Sequence, residues 1–252
     1  MPPRLEASAL LANAHSVALV SDPGSVACLC APRCDPGVSC TALLGGEEHG
    51  RWQLAPSEEV RATRRRYRDE SLVLETDFET TAGSIRLVEF APPRLHAAAL
   101  VRLVEGVRGR VWMRMDLRAR SDDGGVEPWL QAVDCLQAAA AGSDGLQLRT
   151  PVETHVEGLA VQADFVVTAG ELLPFVLEWA PSHHDSPAPL DPLRALADTE
   201  AYWAERAVPR AARRMAWSQS GVEHTVGSPP ALVAANGGSG ARRAGAPDPR
   251  SS

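Results

Sequence analysis

Residues 100–120 read LVRLVEGVRGRVWMRMDLRAR. Val111, Met113, Met115 and Leu117 alternate with Trp112, Arg114, Asp116 and Arg118, the period of two that marks a strand with one buried face. Leu100 to Glu105 alternates in the same way, and Gly106-Val107-Arg108-Gly109 between the two runs has the composition of a tight connection. The stretch therefore predicts a β-hairpin.

The same signals extend in both directions. In SLVLETDFETTAGSIRLVEF, residues 71–90, Leu72, Leu74, Thr76 and Phe78 share a face, and the loop around Gly83 turns the chain into Ile85 to Phe90, a second hairpin. Weaker strands are readable at Val17 to Val20, Ser25 to Ala31, Arg51 to Leu54, Leu146 to Thr150, Leu159 to Val167 and Leu173 to Trp179. About ten strands separated by Gly, Pro and Asp, with no long helix between them, predict a mainly β protein. The expected architecture is an antiparallel, supersandwich-like β-sandwich with one or two short helices. One helix is expected at Pro36 to Leu44. The other runs from Asp191 to Glu205, with Asp191 as N-cap and Pro192 at the first helical position.

After that helix the composition changes. Residues 207–252 contain ten Ala, six Gly, five Pro and six Ser, and the periodicity disappears. The expected organisation is a flexible N-terminus over 1–9, a sandwich over 10–190, a helix over 191–206 and a disordered tail over 207–252.

The net charge of -7 argues against a nucleic-acid surface, which needs a basic excess. The densest basic run, Arg64-Arg65-Arg66, reads as a solvated strand edge. No apolar stretch is long enough to span a bilayer and no basic segment leads into a secretory core, so the expectation is a cytoplasmic protein without membrane contact. Five cysteines in such a compartment are expected as thiols. Cys28, Cys30, Cys34 and Cys40 follow a C-x-C-x3-C-x5-C spacing with no second pair downstream. That spacing fits zinc poorly and predicts thiols packed as small hydrophobes. All the basic residues are Arg, Lys is absent and Ile85 is the only isoleucine, the signature of a GC-rich coding sequence.

NAHSVALVSDPGSVACLCAPRCDPGVSC, residues 13–40, resembles the opening of the trehalase and glucoamylase-like enzymes of glycoside hydrolase family 15. Their N-terminal β-sandwich begins N-G-x-T-A-A-L-V-x-x-D-G-S-I-D-W-L-C-L-P-R-F-D-S. Asn13, Ala18, Leu19, Val20, Gly24, Ser25, Leu29, Cys30, Pro32, Arg33 and Asp35 fit it, and Cys28 and Cys34 stand where it has Trp and Phe. The similarity continues through EEHGRWQLAP, residues 47–56, and PFVLEW, residues 174–179, to DPLRALADTEAYWAER, residues 191–206.

The resemblance implies hydrolysis of α-glucosidic bonds in trehalose or maltooligosaccharides by two glutamates, one a general acid and one activating water, with no cofactor. Both glutamates belong to an (α/α)6 barrel that follows the sandwich, and nothing in this sequence matches it. The expectation is therefore a truncated, non-catalytic N-terminal domain with no catalytic or metal-binding residues of its own. Its tail reads as the out-of-frame product of a shift near residues 203–210.

Candidate sugar contacts are Arg33 and Asp35, which in the family pattern lie in a loop facing the active-site mouth, and Trp112, on the polar phase of its strand. Arg33 and Asp35 read equally well as a structural pair bracing the loop. Trp52, Trp129 and Trp179 are further aromatic candidates. Glu47-Glu48-His49, Asp122-Asp123 and His183-His184-Asp185 read as solvated loops. Two rival readings stay open: a stand-alone carbohydrate-binding or oligomerisation module, and a metal protein built on the cysteines.

Overall fold

A computed structural model describes residues 8–13, 16–21, 24–30, 39–41, 50–93, 98–118, 129–133, 136–141, 144–181 and 188–218. Among the described residues, fifteen antiparallel strands form two sheets that share one strand, β9. The first sheet has the order β1 (Ala9–Ala12), β2 (Val17–Ser21), β3 (Ser25–Cys30), β5 (Arg51–Pro56), β9 (Ala99–Arg118), β14 (Ala160–Thr168), β13 (His155–Glu157), with β4 (Ser39–Thr41) also paired to β3. The second has the order β6 (Val60–Tyr67), β7 (Leu74–Thr80), β8 (Gly83–Phe90), β9, β15 (Leu172–Pro181), β12 (Asp144–Arg149), β11 (Leu136–Ala141), β10 (Trp129–Val133).

The opening stretch is where expectation and structure part. Leu100 to Glu105 and Arg110 to Arg118 do not pair with each other; they are two halves of one 20-residue strand. The first half is flanked by β8 and β15, the second by β5 and β14. Strands that switch sheets in this way turn corners by bulges or bends. Here the register slips between Ser84 and Ile85, whose partners are Arg108 and Gly106, so Val107 is left over. The inward side chains change parity across that extra residue, from Leu100 and Val104 to Val111, Met113, Met115 and Leu117.

Glycine makes the corner possible. A Cβ on Gly106 would lie 1.9 Å from the Thr168 carbonyl oxygen, and one on Gly109, at φ +71°, would lie 2.1 Å from that of Ala82. The turns of neighbouring strands clasp the bend: Gly106 N–H donates to Glu171 at 2.9 Å, Gly170 N–H to Gly106 at 2.8 Å, and Ala169 N–H to Gly109 at 3.0 Å. The backbone groups of the corner are thus satisfied without a regular ladder.

Between the sheets lies one apolar core that includes Leu11, Val20, Val26, Trp52, Leu54, Phe78, Leu87, Met113, Met115 and Phe175. A charge sits inside it. Arg102 and Glu89 both have fully buried side chains, with the Arg102 Nη2 to Glu89 Oε1 distance 2.8 Å. Arg102 also donates to the backbone oxygens of Trp52, at 2.9 Å, and Gly24, and its guanidinium lies 4.8 Å from the Trp52 ring centre. Burial pushes the guanidinium below its usual range and Glu89 pulls it back. Arg102 rises from the second sheet, Trp52 belongs to the first and Gly24 directly precedes its strand β3, so this side chain fastens one sheet to the other.

A second apolar cluster covers the outside of the second sheet. Val73, Val88, Phe90, Val101, Leu103 and Val176 pack against Ala195, with Leu190 and Leu196 beside them. Ala195 and Leu196 belong to α1 (Pro192–Ser218), which starts where Asp191 Oδ1 accepts hydrogen bonds from the N–H groups of Leu193, at 3.0 Å, and Arg194, at 3.2 Å. This is the N-cap foreseen in the sequence. The Ala- and Arg-rich stretch beyond Glu205 stays helical to Ser218, because both residue types are strong helix formers. The helix is therefore long and not short, and α1 reaches 12 residues into the segment assigned to the tail.

The β7–β8 hairpin and the six weaker strands are present. The short helix at Pro36 to Leu44 is not: Ser39–Thr41 is a strand, its backbone paired with Cys28 to Cys30. The remainder of that segment lies outside the described residues. The arginine run is on β6, an edge strand paired only with β7, with Arg66 about half exposed. No described helix is long and apolar enough to cross a membrane.

Candidate functional site

Hydrolysis in the expected family needs a carboxyl that holds a proton and a carboxylate that activates water, set across an open cleft. Among the described residues the buried carboxylates are Glu75, Glu89, Asp116 and Glu178, and arginine neutralises each of them. Glu75 pairs with Arg66 and Arg68. Glu89 pairs with Arg102, Asp116 with Arg118 at 3.0 Å, and Glu178 with Arg149 at 3.1 Å. Each of them is thus committed to an ion pair within the fold. The small cleft lined by Leu29, Ala98, Leu100, Leu146 and Trp179 is apolar and brings no carboxylate into it.

The ion pairs on the outside of the second sheet dock the helix. Arg68 bridges Glu75 on β7 and Glu200 on α1, with distances of 2.5 and 2.7 Å. Asp77, one pleat further along, accepts from Arg86 and Arg66 at 2.7 Å each. Partial burial pushes the Asp77 carboxyl up, but the bonds from Arg86 and Arg66 outweigh it and leave the group below its ordinary value. A carboxyl depressed on folding contributes stability that is present above its unfolded value and lost as pH falls through the folded one. Urea midpoints are accordingly expected to fall as pH drops below about 4, and Asp77→Asn should reduce that dependence while costing a fraction of a kcal/mol at pH 7. An unchanged acid limb in Asp77→Asn would remove Asp77 from the account.

The outer face of the first sheet is different. Across β5, β9 and β14 it carries Arg51, Gln53, Arg110, Trp112, Arg114, Asp116, Gln162 and Asp164. Trp112 is 52% exposed and is the only exposed aromatic among the residues whose side chains are described. Its N–H donates to Glu58 at 3.3 Å, its carbonyl accepts from Ser57 N–H at 2.9 Å, and Val166 is its partner on β14. One pleat away Arg114 and Asp164 face each other at 3.7 Å, both about half exposed. Further along, Asp116 accepts from Gln162 Nε2 at 3.0 Å and lies 3.5 Å from Arg51.

The sequence candidates scatter over this frame. Trp112 stands out into solvent, as its place on the polar phase foretold. Trp52 is fully buried on the opposite face, and Trp179 packs against the core. No sugar platform therefore unites these aromatics, and the side chain of Trp129 lies outside the described residues. So do Arg33, Asp35, Cys34, Glu47-Glu48-His49, Asp122-Asp123 and His183-His184-Asp185, and the side chain of Cys40.

Cys28 and Cys30 are half-buried and not joined in a disulfide, with sulfurs 3.7 Å apart. The expectation of core thiols is corrected for these two. On β3 the residues reaching the core are Val26 and Leu29, while Cys28 and Cys30 take the other phase, so a Trp-to-Cys exchange at position 28 leaves no cavity between the sheets. Among the described residues no three His, Cys, Asp or Glu side chains gather into a metal site.

Fold and surfaces together define an antiparallel two-sheet sandwich capped on one side by a helix and open on the other. The chain belongs to the trehalase-like N-terminal domain family, whose model matches residues 1–203. Among solved structures it is similar to a putative kojibiose phosphorylase from human microbiome, with a TM-score of 0.43 and 9% sequence identity, covering 79% of this chain and 33% of that one. The chain thus spans about a third of the length of that protein. No curated protein sequence matches it.

Proposed function

We propose that this chain is the non-catalytic N-terminal domain of a glycoside hydrolase family 15 enzyme, acting within its parent on α-glucosidic bonds of trehalose or maltooligosaccharides. The observation that carries the reading is the family match over residues 1–203. The arginine pairing of the buried described carboxylates supports its second half, that the domain supplies no acid–base pair of its own. In this reading the chain needs no cofactor, binds neither nucleic acid nor membrane, works in the cytoplasm with reduced thiols, and continues beyond residue 206 into a tail without catalytic content. Arg33 and Asp35 would meet sugar only at the mouth of a neighbouring catalytic domain.

The test is glucose release from trehalose and from maltotriose by the purified 252-residue chain, followed over hours with a coupled assay. The expected rate is that of the buffer control. Turnover that survives rigorous purification and disappears on replacing a single carboxylate would overturn the proposal.

A further inference from the structure

The Trp112 face has the construction of a binding site for a neutral ligand. Its charges are paired locally: Arg114 opposes Asp164 at 3.7 Å and Arg118 pairs with Asp116 at 3.0 Å. A charged ligand therefore gains little there. What the face offers is a flat aromatic surface beside exposed groups that both donate and accept hydrogen bonds, on a rigid three-stranded platform. The chemistry complementary to it is an apolar ring face edged by hydroxyls.

We propose that the outer face around Trp112 is a binding subsite for neutral pyranosides, with the indole stacked on a sugar ring and the Arg114–Asp164 pair bonded to the hydroxyls of that ring or the next. Arg114 follows Trp112 at the strand's two-residue repeat, about 7 Å along the same face, which is the scale of one sugar unit. Arg114 donates to a hydroxyl and Asp164 accepts from one, so adjacent hydroxyls can be held together. The ion pair is long, at 3.7 Å, and half exposed, so a ligand reorganises it at little cost.

Choosing α-linked glucose as the first probe rests on the function proposed above, and the experiment separates the two. The full chain is run in native gels containing soluble α-glucan, β-glucan or no polysaccharide, and titrated with maltoheptaose and cellohexaose. Retardation by at least one polymer is expected, with apparent affinity falling at least tenfold in Trp112→Ala, severalfold in Asp164→Asn, and much less in Trp112→Phe. Trp112 touches the core little, and equal near-UV circular dichroism of the variants establishes that they are folded. Binding of β-glucan alone would keep the subsite and count against the α-glucosidic reading. A folded wild-type chain retarded by neither polymer, or a Trp112→Ala chain retarded as strongly as wild type, would overturn the subsite. A change of oligomeric state in Trp112→Ala without sugar binding by the wild type would also overturn it and make the patch a protein interface.

Discussion

Replacing Arg102 with alanine is expected to destabilise the domain by about 3–5 kcal/mol, the cost of removing one partner from a buried ion pair. Glu89 would be left charged in a fully buried position, its Oε1 deprived of the arginine and its Oε2 already without a partner. The backbone oxygens of Trp52 and Gly24 would each lose a donor. The Trp52 ring would lose the cation on its face.

Pairing the substitution with Glu89→Leu separates the terms. Removing both charges abolishes the uncompensated carboxylate, so the double variant Arg102→Ala/Glu89→Leu should recover part of the loss. It should remain below wild type, because the carbonyls of Trp52 and Gly24 still lack the donors that Arg102 supplies. Urea midpoints with unchanged slope provide the measurement. A single Arg102→Ala variant within 1 kcal/mol of wild type would mean that Arg102 does not fasten the sheets together.

The second large effect is expected at the corner of β9. Gly106→Ala places a methyl carbon 1.9 Å from a backbone oxygen that is itself held by the turn at Thr168–Glu171. Gly109→Ala adds a similar clash to a left-handed backbone. Overpacking costs roughly 1–3 kcal/mol, the loss expected for Gly106→Ala, and the left-handed conformation adds about 1 kcal/mol for Gly109→Ala alone. Gly158→Ala is the matched control. It also has positive φ, at +60°, but nothing lies within 4 Å of the added carbon, so it should lose only the conformational part. If Gly158→Ala and Gly109→Ala cost the same, close packing at the corner is not what the glycines provide.

The corner also explains why the sequence misleads. Two alternating runs joined by Gly-Val-Arg-Gly, with the apolar phase changing parity between them, describe a tight hairpin and a bulged bend equally well. Only the non-local partners decide, and β15, β8, β5 and β14 are contributed by segments far from the bend. Val60–Tyr67 hides its strand because arginine occupies so much of it, and Leu136–Ala141 because alanine has low strand preference. Ser39–Thr41 looks like part of a helix until β3 is available to pair with it.

By contrast, the β7–β8 hairpin and the N-cap at Asp191 are set by local chemistry and are readable directly. The same division runs through the candidate site. The exposure of Trp112 follows from its place among Arg110, Arg114 and Asp116 on one phase of a strand. Its neighbour Asp164 is 50 positions away from Arg114 and becomes visible only through the β9–β14 register. Arg102 is the opposite case: an arginine on the inward phase of a strand reads as an irregularity in the pattern, and its meaning depends on Glu89 and on two carbonyls of another sheet.

The two sheets and the first half of α1 are expected to form one self-sufficient core, and thermal unfolding of the intact chain tests this most directly. Near-UV circular dichroism follows the aromatic packing around Trp52 and far-UV circular dichroism the strands. A single transition with coincident midpoints is expected. Absence of near-UV signal with far-UV signal retained, or two separate transitions for strands and aromatic packing, would contradict it.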